Sequence, residues 1–539
     1  MAVIESRIDP NSETFRTNRE AMLALVEQFR ALEQKVRDTS NAKKALFEKR
    51  GQLLPRERIA LLLDRGSPWV ELSTLAGLGM HDDDGRENVL GAGLIVGIGY
   101  VCGVRCLVKA SDSAIKGGTI APMGLRKNLR AQEIALRNKL PIIDLVESGG
   151  ANLRYQGEIF IDGGRGFFNQ ARLSAAGIPQ ITVVHGSSTA GGAYQPGLSD
   201  YVIMVRGKAK VFLAGPPLLR AATGEIATDE ELGGAEMHAT RSGVADYLAE
   251  DDVDAIRLAR EIVAKLGWND RLPLAAKPSF REPRYSPEEL AGVVPVDYRK
   301  PYDVREVIAR LIDDSDFTEF KPTYGVQTIC GQAEIEGHAC ALIGNNGPID
   351  VQGATKAAQF IQLMCQADTP IIYLQNITGY MVGTEAEQNG IVKHGAKMIQ
   401  AVSNATVPQI TLHIGASFGA GNYGMCGRAY EPRFIFAWPN NRVAVMGGEQ
   451  AAKVLSIVTE EKHRRSGEPL DRAALEAMER QIIEQFERES TALYATAHLW
   501  DDGLIDPRDS RKLLAFCLSV CREAELRPLK PITFGVARM

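Results

Sequence analysis

The chain has little that would mark a secreted, membrane-embedded or metal-dependent protein. Its eight cysteines, at 102, 106, 330, 340, 365, 426, 517 and 521, include no Cys-x-x-Cys pair, so buried free thiols are expected in place of a disulfide framework. No apolar run approaches the about eighteen residues that span a bilayer. The opening Met-Ala-Val-Ile-Glu-Ser-Arg lacks the apolar centre of a signal peptide, so a cytoplasmic location with no membrane contact is expected. None of the eight histidines stands in His-Glu-x-x-His or beside a cysteine pair, so no metal site is expected. A phosphate loop of the form Gly-x-x-x-x-Gly-Lys-Ser/Thr is missing. Gly97-Ile-Gly99-Tyr-Val-Cys-Gly103 has the wrong third spacing for a dinucleotide fingerprint. With 62 Lys+Arg against 67 Asp+Glu and a net charge of −5, nothing points to nucleic-acid binding.

What the chain does have is a copy of itself. Val183-Val-His-Gly-Ser-Ser-Thr-Ala-Gly-Gly-Ala-Tyr194 is matched 229 positions later by Leu412-His-Ile-Gly-Ala-Ser-Phe-Gly-Ala-Gly-Asn-Tyr423. Each follows a Pro-Gln-Ile-Thr run, at Pro179 and Pro408, that reads as a β-branched strand entering a glycine-rich turn. Pro141-Ile-Ile-Asp and Pro370-Ile-Ile-Tyr each precede their run by 38 residues, and Arg56-Glu-Arg-Ile-Ala is echoed by Arg305-Glu-Val-Ile-Ala. Repeated spacing across several segments implies an internal duplication into two mixed α/β domains, 1–280 and 281–539, with helices flanking them. Six prolines between Pro273 and Pro301 mark the linker. Residues 14–64 and the stretches near 473–486 and 511–523 read as helices. The paired turns, Gly191-Gly192 and Ala420-Gly421, carry small residues that let backbone N–H groups approach a ligand oxygen, and we read them as two oxyanion-binding sites.

Other motifs compete with this reading. Gly415-Ala-Ser417-Phe-Gly419 fits the Gly-x-Ser-x-Gly nucleophile elbow of a serine hydrolase, with His463 and His498 downstream as bases. The paired turn, with Ser188 in the equivalent place, is not an elbow. Ala396-Lys397-Met398 partly matches a biotin-attachment site, but its surroundings read as helix, and a surface lysine is expected. Lys116-Gly117-Gly118 with Arg126, Lys127 and Arg130 gathers cations beside a glycine turn. These are either solvated helix charges or contacts to the phosphates of a nucleotide-bearing substrate.

Several stretches together resemble the carboxyltransferase β subunits of biotin-dependent acyl-CoA carboxylases. They include Glu147-Ser-Gly-Gly-Ala-Asn152, Phe167-Phe-Asn-Gln170, Ser188-Thr-Ala-Gly-Gly-Ala-Tyr194, Phe212-Leu-Ala-Gly-Pro-Pro217, Ala416 to Gly424 and Asp501-Asp-Gly-Leu-Ile-Asp-Pro507. The resemblance runs from about residue 10 to the C-terminus and is greatest to the branch acting on 3-methylcrotonyl-CoA and geranyl-CoA. It implies two tandem crotonase-like spiral domains, the first binding acyl-CoA and the second carboxybiotin. It also implies a hexameric core of this chain, with a biotin carboxylase and biotin carrier α subunit in an α6β6 assembly. Biotin then resides on that partner, which uses ATP and bicarbonate. Carried onto this chain, the resemblance gives Gly191 and Gly192 the thioester oxygen and Ala420 and Gly421 the biotin oxygen. Gly149, Gly150, Lys116, Gly117, Gly118, Arg126, Lys127 and Arg130 become substrate residues, and Thr378, Gly379, Phe418 and Gly419 biotin residues. Methylcrotonyl members usually carry two tyrosines where this chain has Ile120-Ala121, and larger residues where it has Gly163. If these positions line the acyl pocket, a longer acyl chain enters and geranyl-CoA is the expected substrate, with 3-methylcrotonyl-CoA the alternative. Otherwise these positions are repacked elsewhere.

Overall fold

Alternating strands and helices build two α/β halves on one plan. The structure, a computed structural model, describes residues 3–81, 89–273, 278–467 and 469–537, so part of the expected linker, 274–277, lies outside the described residues. Two compact units result: Met1–Arg30, Ala276–Thr496 and Trp500–Cys521 form one, and Ala31–Ala275, Ala497–Leu499 and Arg522–Met539 the other. Beside the expected 1–280 and 281–539 division, the structure adds an exchange of ends. The reason is local: Ser6 Oγ donates to Glu306 Oε2 at 2.5 Å, and Arg7 N to Glu306 Oε1 at 2.7 Å. The N-terminal helices open with α1 (Glu13–Asn41) and include α2 (Pro55–Leu62), started by Pro55 and by Glu57 Oε2, which accepts the Leu54 N–H at 2.9 Å.

In the earlier half, β1 (Leu94–Val101) and β2 (Val104–Ser111) form an antiparallel hairpin. Then come α3 (Pro122–Arg137), β3 (Ile142–Ser148), α4 (Gln156–Ala175), β4 (Gln180–Thr189), β5 (Tyr201–Val205) and α5 (Asp252–Lys265). Strands β2 to β5 are mutually parallel neighbours. The later half repeats the order: hairpin β6 (Thr328–Ile335) and β7 (His338–Asn345), α6 (Val351–Gln366), β8 (Ile371–Ile377), α7 (Ile391–Ser403), β9 (Gln409–Phe418) and β10 (Phe434–Ala437). Here too β7 to β10 run parallel. C-terminal helices follow, among them α8 (Gly448–Ser466), α9 (Arg472–Glu489) and α10 (Ser510–Leu526), the last two covering the stretches expected near 473–486 and 511–523.

Even the hairpin turns agree. Cys102-Gly103 has φ 50° and 75°, and Glu336-Gly337 has 48° and 73°, the two positive angles that a tight two-residue turn needs to match strand twist. Strands β3 and β9 are buried along their whole length, as parallel strands covered on both faces are. Ile143 and Leu145 of β3 join the core of the earlier half, and Ile371, Tyr373 and Ile377 of β8 join a separate core in the later half. Among the described residues no helix is long and apolar enough to cross a membrane.

Candidate functional site

Both paired turns begin where a parallel strand pair slips. Strands β3 and β4 pair in step to Val146 and Val184 and resume at Ser148 and Ser188; β8 and β9 do the same from Gln375 and His413 to Ile377 and Ser417. One residue, Glu147 or Asn376, therefore faces three on the longer strand, and the bulge aims the following turn out of the sheet. Ala190 (φ 53°) and Gly419 (φ 56°) make the same left-handed step at the start of the two turns. Glycine adopts it freely, whereas for alanine it costs about 1 kcal/mol. Gly191 and Ala420 are exposed, Gly192 and Gly421 buried. Neither Thr189 nor Phe418 caps the turn with its side chain. The first N–H groups of such a turn have no partner within it and are suited to an incoming oxygen.

Three turns meet in the earlier half. A Cβ placed on Gly192 would lie 3.3 Å from Ser148 Oγ; on Gly150, 3.3 Å from Thr189 O; on Gly149, 3.3 Å from Thr119 Oγ1. Ser188 Oγ donates to Gly192 O at 2.9 Å, and Ile120 N to Gly150 O at 2.8 Å. Thus Gly117, Gly118, Ile120, Gly149, Gly150, Gly191 and Gly192 come together, with Ala121 adjoining. Gly163 lies on α4, four residues before Phe167. Phe167, one turn along the same helix face, reaches within 3.9 Å of where a Gly191 Cβ would be, and its ring meets Tyr194 edge-on at 5.6 Å. A Cβ on Gly163 itself would meet nothing within 4 Å.

The cation group is divided. Lys116 is half-buried and Arg126 exposed, but Lys127 and Arg130 are only 3% and 6% exposed. Lys127 Nζ donates to Gly91 O at 3.3 Å, and burial, against the pull of Glu71, lowers its pKa to about 8. Arg130 pairs with Glu133 at 3.0 Å. Positions 127 and 130 share the inward face of α3, so these two charges support the helix, and the expectation that they contact phosphate is corrected on that ground.

In the later half a Cβ on Gly421 would stand 2.6 Å from Ile377 Cγ1 and 3.0 Å from Gly379 Cα, so the turn packs directly on the end of β8. Thr378 is exposed, and Gly379 (φ 126°) and Gly419 leave backbone accessible beside Ala420. Phe418 is 5% exposed, its ring edge-on to Tyr298 at 5.2 Å, so it braces the turn from behind. The hydrolase reading fails here: Ser417 is fully buried, its Oγ donates to Gln375 Oε1 at 2.5 Å, and it accepts from Asn422 Nδ2 at 2.7 Å. His463 Nδ1 is bonded to Thr459 O at 2.9 Å along its own helix. Lys397 is exposed on α7, as expected of a surface lysine.

Residues 47–531 match the carboxyl transferase domain family. The chain belongs to the carboxyl transferase family. Over its full length this carboxyl transferase is 50% identical to the probable biotin-dependent acyl-coenzyme A carboxylase beta2 subunit of Mycobacterium tuberculosis, all of which is covered. It is 48% identical to the probable mitochondrial methylcrotonoyl-CoA carboxylase beta chain of Drosophila melanogaster, with 100% of this chain and 95% of the relative covered. Among solved structures, the geranyl-CoA carboxylase beta subunit of P. aeruginosa superposes with a TM-score of 0.94 at 62% identity, both chains covered in full. The fold is therefore the tandem crotonase-like fold of the carboxyl transferases, and the chain is a carboxylase component.

Sequence reasoning missed the groups that hold the carboxyl transferase turns in place: Ser148 and Ser188 in the earlier half, Gln375, Asn376 and Tyr298 in the later. Asn376 Oδ1 accepts the Ala416 N–H at 3.0 Å inside the bulge. The available signal was Gly186 and Gly415 at matched positions, where the side chains of Glu147 and Asn376 occupy the space of a Cβ.

Proposed function

We propose that this chain is the carboxyltransferase β subunit of a geranyl-CoA carboxylase, placing a carboxyl group on the γ carbon of a branched α,β-unsaturated acyl thioester. The observation that carries the reading is the open space at Gly163, on the helix face that Phe167 turns toward Gly191. With Ile120 and Ala121 beside the same turn, it leaves room for a longer acyl chain. The 62% identity to a geranyl-CoA carboxylase beta subunit supports the same choice. A second reading, 3-methylcrotonyl-CoA, is favoured by relatives named for that substrate at 48% identity.

On this reading the N–H groups of Gly191 and Gly192 bind the thioester oxygen as the acyl group becomes an extended enolate, each donor lowering the barrier by about 2.7–4 kcal/mol. Lys116 and Arg126 meet the phosphates of CoA. Ala420 and Gly421 hold the ureido oxygen of biotin, with Thr378, Gly379 and Gly419 around it; the accessible, side-chain-poor backbone there fits such a group. Biotin, carried by a partner subunit that consumes ATP and bicarbonate, supplies the carboxyl group and a nitrogen able to take the substrate proton. That accounts for the lack of a catalytic dyad at either turn. We place the assembly in the cytoplasm as a hexamer of this chain with six α subunits.

The test is CO2 fixation by the chain with its α partner on geranyl-CoA and 3-methylcrotonyl-CoA side by side. A higher kcat/KM for geranyl-CoA is expected. Preference for the shorter substrate would overturn the pocket assignment, and fixation with neither would overturn the carboxyltransferase reading.

A further inference from the structure

The bulge before the first turn is enclosed by a ring of buried charge with no counterpart at the second among the described residues. Glu147 Oε2 accepts from Arg58 Nη1 at 3.1 Å and from Ser113 Oγ at 2.9 Å. Arg58 Nε donates to Asp252 Oδ2 at 3.0 Å, and Asp252 Oδ1 is bonded to His185 Nδ1 at 2.8 Å. His185 is followed by Gly186, over which the Glu147 side chain lies, and this closes the ring. Further bonds tie it to the chain: Gln52 Nε2 donates to His185 O at 2.8 Å and Leu53 N to Asp252 Oδ2 at 2.7 Å. Arg58 comes from α2 and Asp252 opens α5, so two helices outside the site grip the two strands that lead into it. All four ring members are buried, none more than 9% exposed.

Burying four polar groups of this kind is costly, and a neutral cluster of similar shape is often as stable. The molecule contains that neutral alternative. At the matched positions of the later half stand Val307 for Arg58, Asn376 for Glu147 and Ile414 for His185. The same slip between strands forms there with one amide accepting from Ala416 N. The fold alone therefore does not require charge at this place, and the difference follows the difference in what the two turns bind. Glu147 also touches the third turn of the site, since its carbonyl leaves no room for a Cβ at Gly118.

We infer that Glu147, held by Arg58 and Asp252, is a positioning residue for carboxyl transfer, fixing the Gly191-Gly192 turn and the Lys116–Gly118 turn in one geometry around the thioester. It touches neither substrate nor reacting atoms. A carboxylate hydrogen-bonded on one side and packed on Gly186 on the other has one place to sit. Arg58 shares its cation between Glu147 and Asp252, and Ser113 Oγ gives the Glu147 carboxylate a further donor. This rests on the assignment of acyl-CoA to the first turn.

The test uses the full chain assembled with its α subunit. Glu147→Gln keeps the shape and removes the charge; Arg58→Lys keeps the charge but not the two-way reach. For each, kcat and KM for acyl-CoA, the thermal midpoint, and carboxybiotin breakdown without acyl-CoA are measured. Expected is a fall in kcat of about 10²-fold, the loss typical of a reacting group displaced by a fraction of its contact distance, with KM changed less than about threefold. Breakdown without acyl-CoA should match wild type. A role confined to stability predicts a lower thermal midpoint with kcat retained, and that result overturns the inference, as does an equal loss of breakdown. If Glu147→Gln does not assemble, Arg58→Lys decides by the same measures. Wild-type enzyme that carboxylates no acyl-CoA would instead refute the functional reading beneath it.

Discussion

The two glycine turns share a backbone and differ in what holds them. In both, a parallel strand pair slips at one residue, the chain takes a left-handed step at Ala190 or Gly419, and an exposed residue precedes a buried one. Behind the first stand Arg58, Glu147, Asp252 and His185; behind the second, Gln375, Asn376, Ser417 and Asn422. Packing differs as well: Gly192 has Ser148 Oγ as its nearest neighbour, whereas Gly421 is pressed onto Ile377 and Gly379. Duplication kept the geometry of the turn while its support diverged, in keeping with the proposed transfer between two different carbonyl-bearing partners.

Substitutions can break this pairing, and the largest effect should come from the tighter turn. Gly421→Ala drives a methyl group to 2.6 Å from Ile377 Cγ1, so steady-state assay should show kcat lowered about 10³-fold. Acyl-CoA KM should stay near wild type, because the first turn is untouched. Gly192→Ala meets the Ser148 hydroxyl at 3.3 Å, with Ser148 Cβ and Ser188 Oγ at 3.6 Å, and a loss of about 10²-fold is expected. Gly163→Phe fills the open face of α4; it should shift the geranyl-to-methylcrotonyl ratio of kcat/KM by about 10–200-fold toward the shorter substrate, with no counterpart in the later half.

Acid should discriminate between supports. Burial and the Arg58 cation lower His185 to about 4, below its ordinary 6.5, so the native state resists a proton that the unfolded chain takes up from pH 6.5 downward. Asp252 is held at about 2: burial opposes the charge but is outweighed by the His185 hydrogen bond, the Arg58 cation and the Leu53 N–H, so its stabilisation is lost as pH falls from 3.8 toward 2. Both act in one direction, and hydrogen exchange should show the earlier half losing protection with falling pH. His413 in the later half is likewise lowered to about 4, but by burial alone, and no Asp–His pair is lost there. His185→Asn should reduce this acid sensitivity of the earlier half. The smallest effect belongs to Gly191→Ala, where the nearest atom is Phe167 Cζ at 3.9 Å and the paired turn already carries Ala420; kcat should stay within about threefold.

The sequence made the duplication visible because strand, turn and spacing are local properties: Pro-Gln-Ile-Thr at the head of β4 and β9, Pro-Ile-Ile at the head of β3 and β8, and paired small residues recur at a fixed interval. It did not reveal the ring, whose Arg58–Glu147 and Arg58–Asp252 bonds join residues 89 and 194 apart. Nor did it separate Arg126 from Lys127 and Arg130, since four cations near a glycine turn look alike until the helix shows which face is inward. Ser417 fitted a nucleophile elbow by spacing alone. Only the bonds to Gln375 and Asn422 reveal it as a brace.

The division of labour between the turns is tested most directly by a structure of the assembled enzyme with geranyl-CoA bound. We predict the thioester oxygen about 2.7–3.2 Å from the N–H nitrogens of Gly191 and Gly192. A thioester oxygen resting on Ala420 and Gly421, or on neither turn, would contradict it.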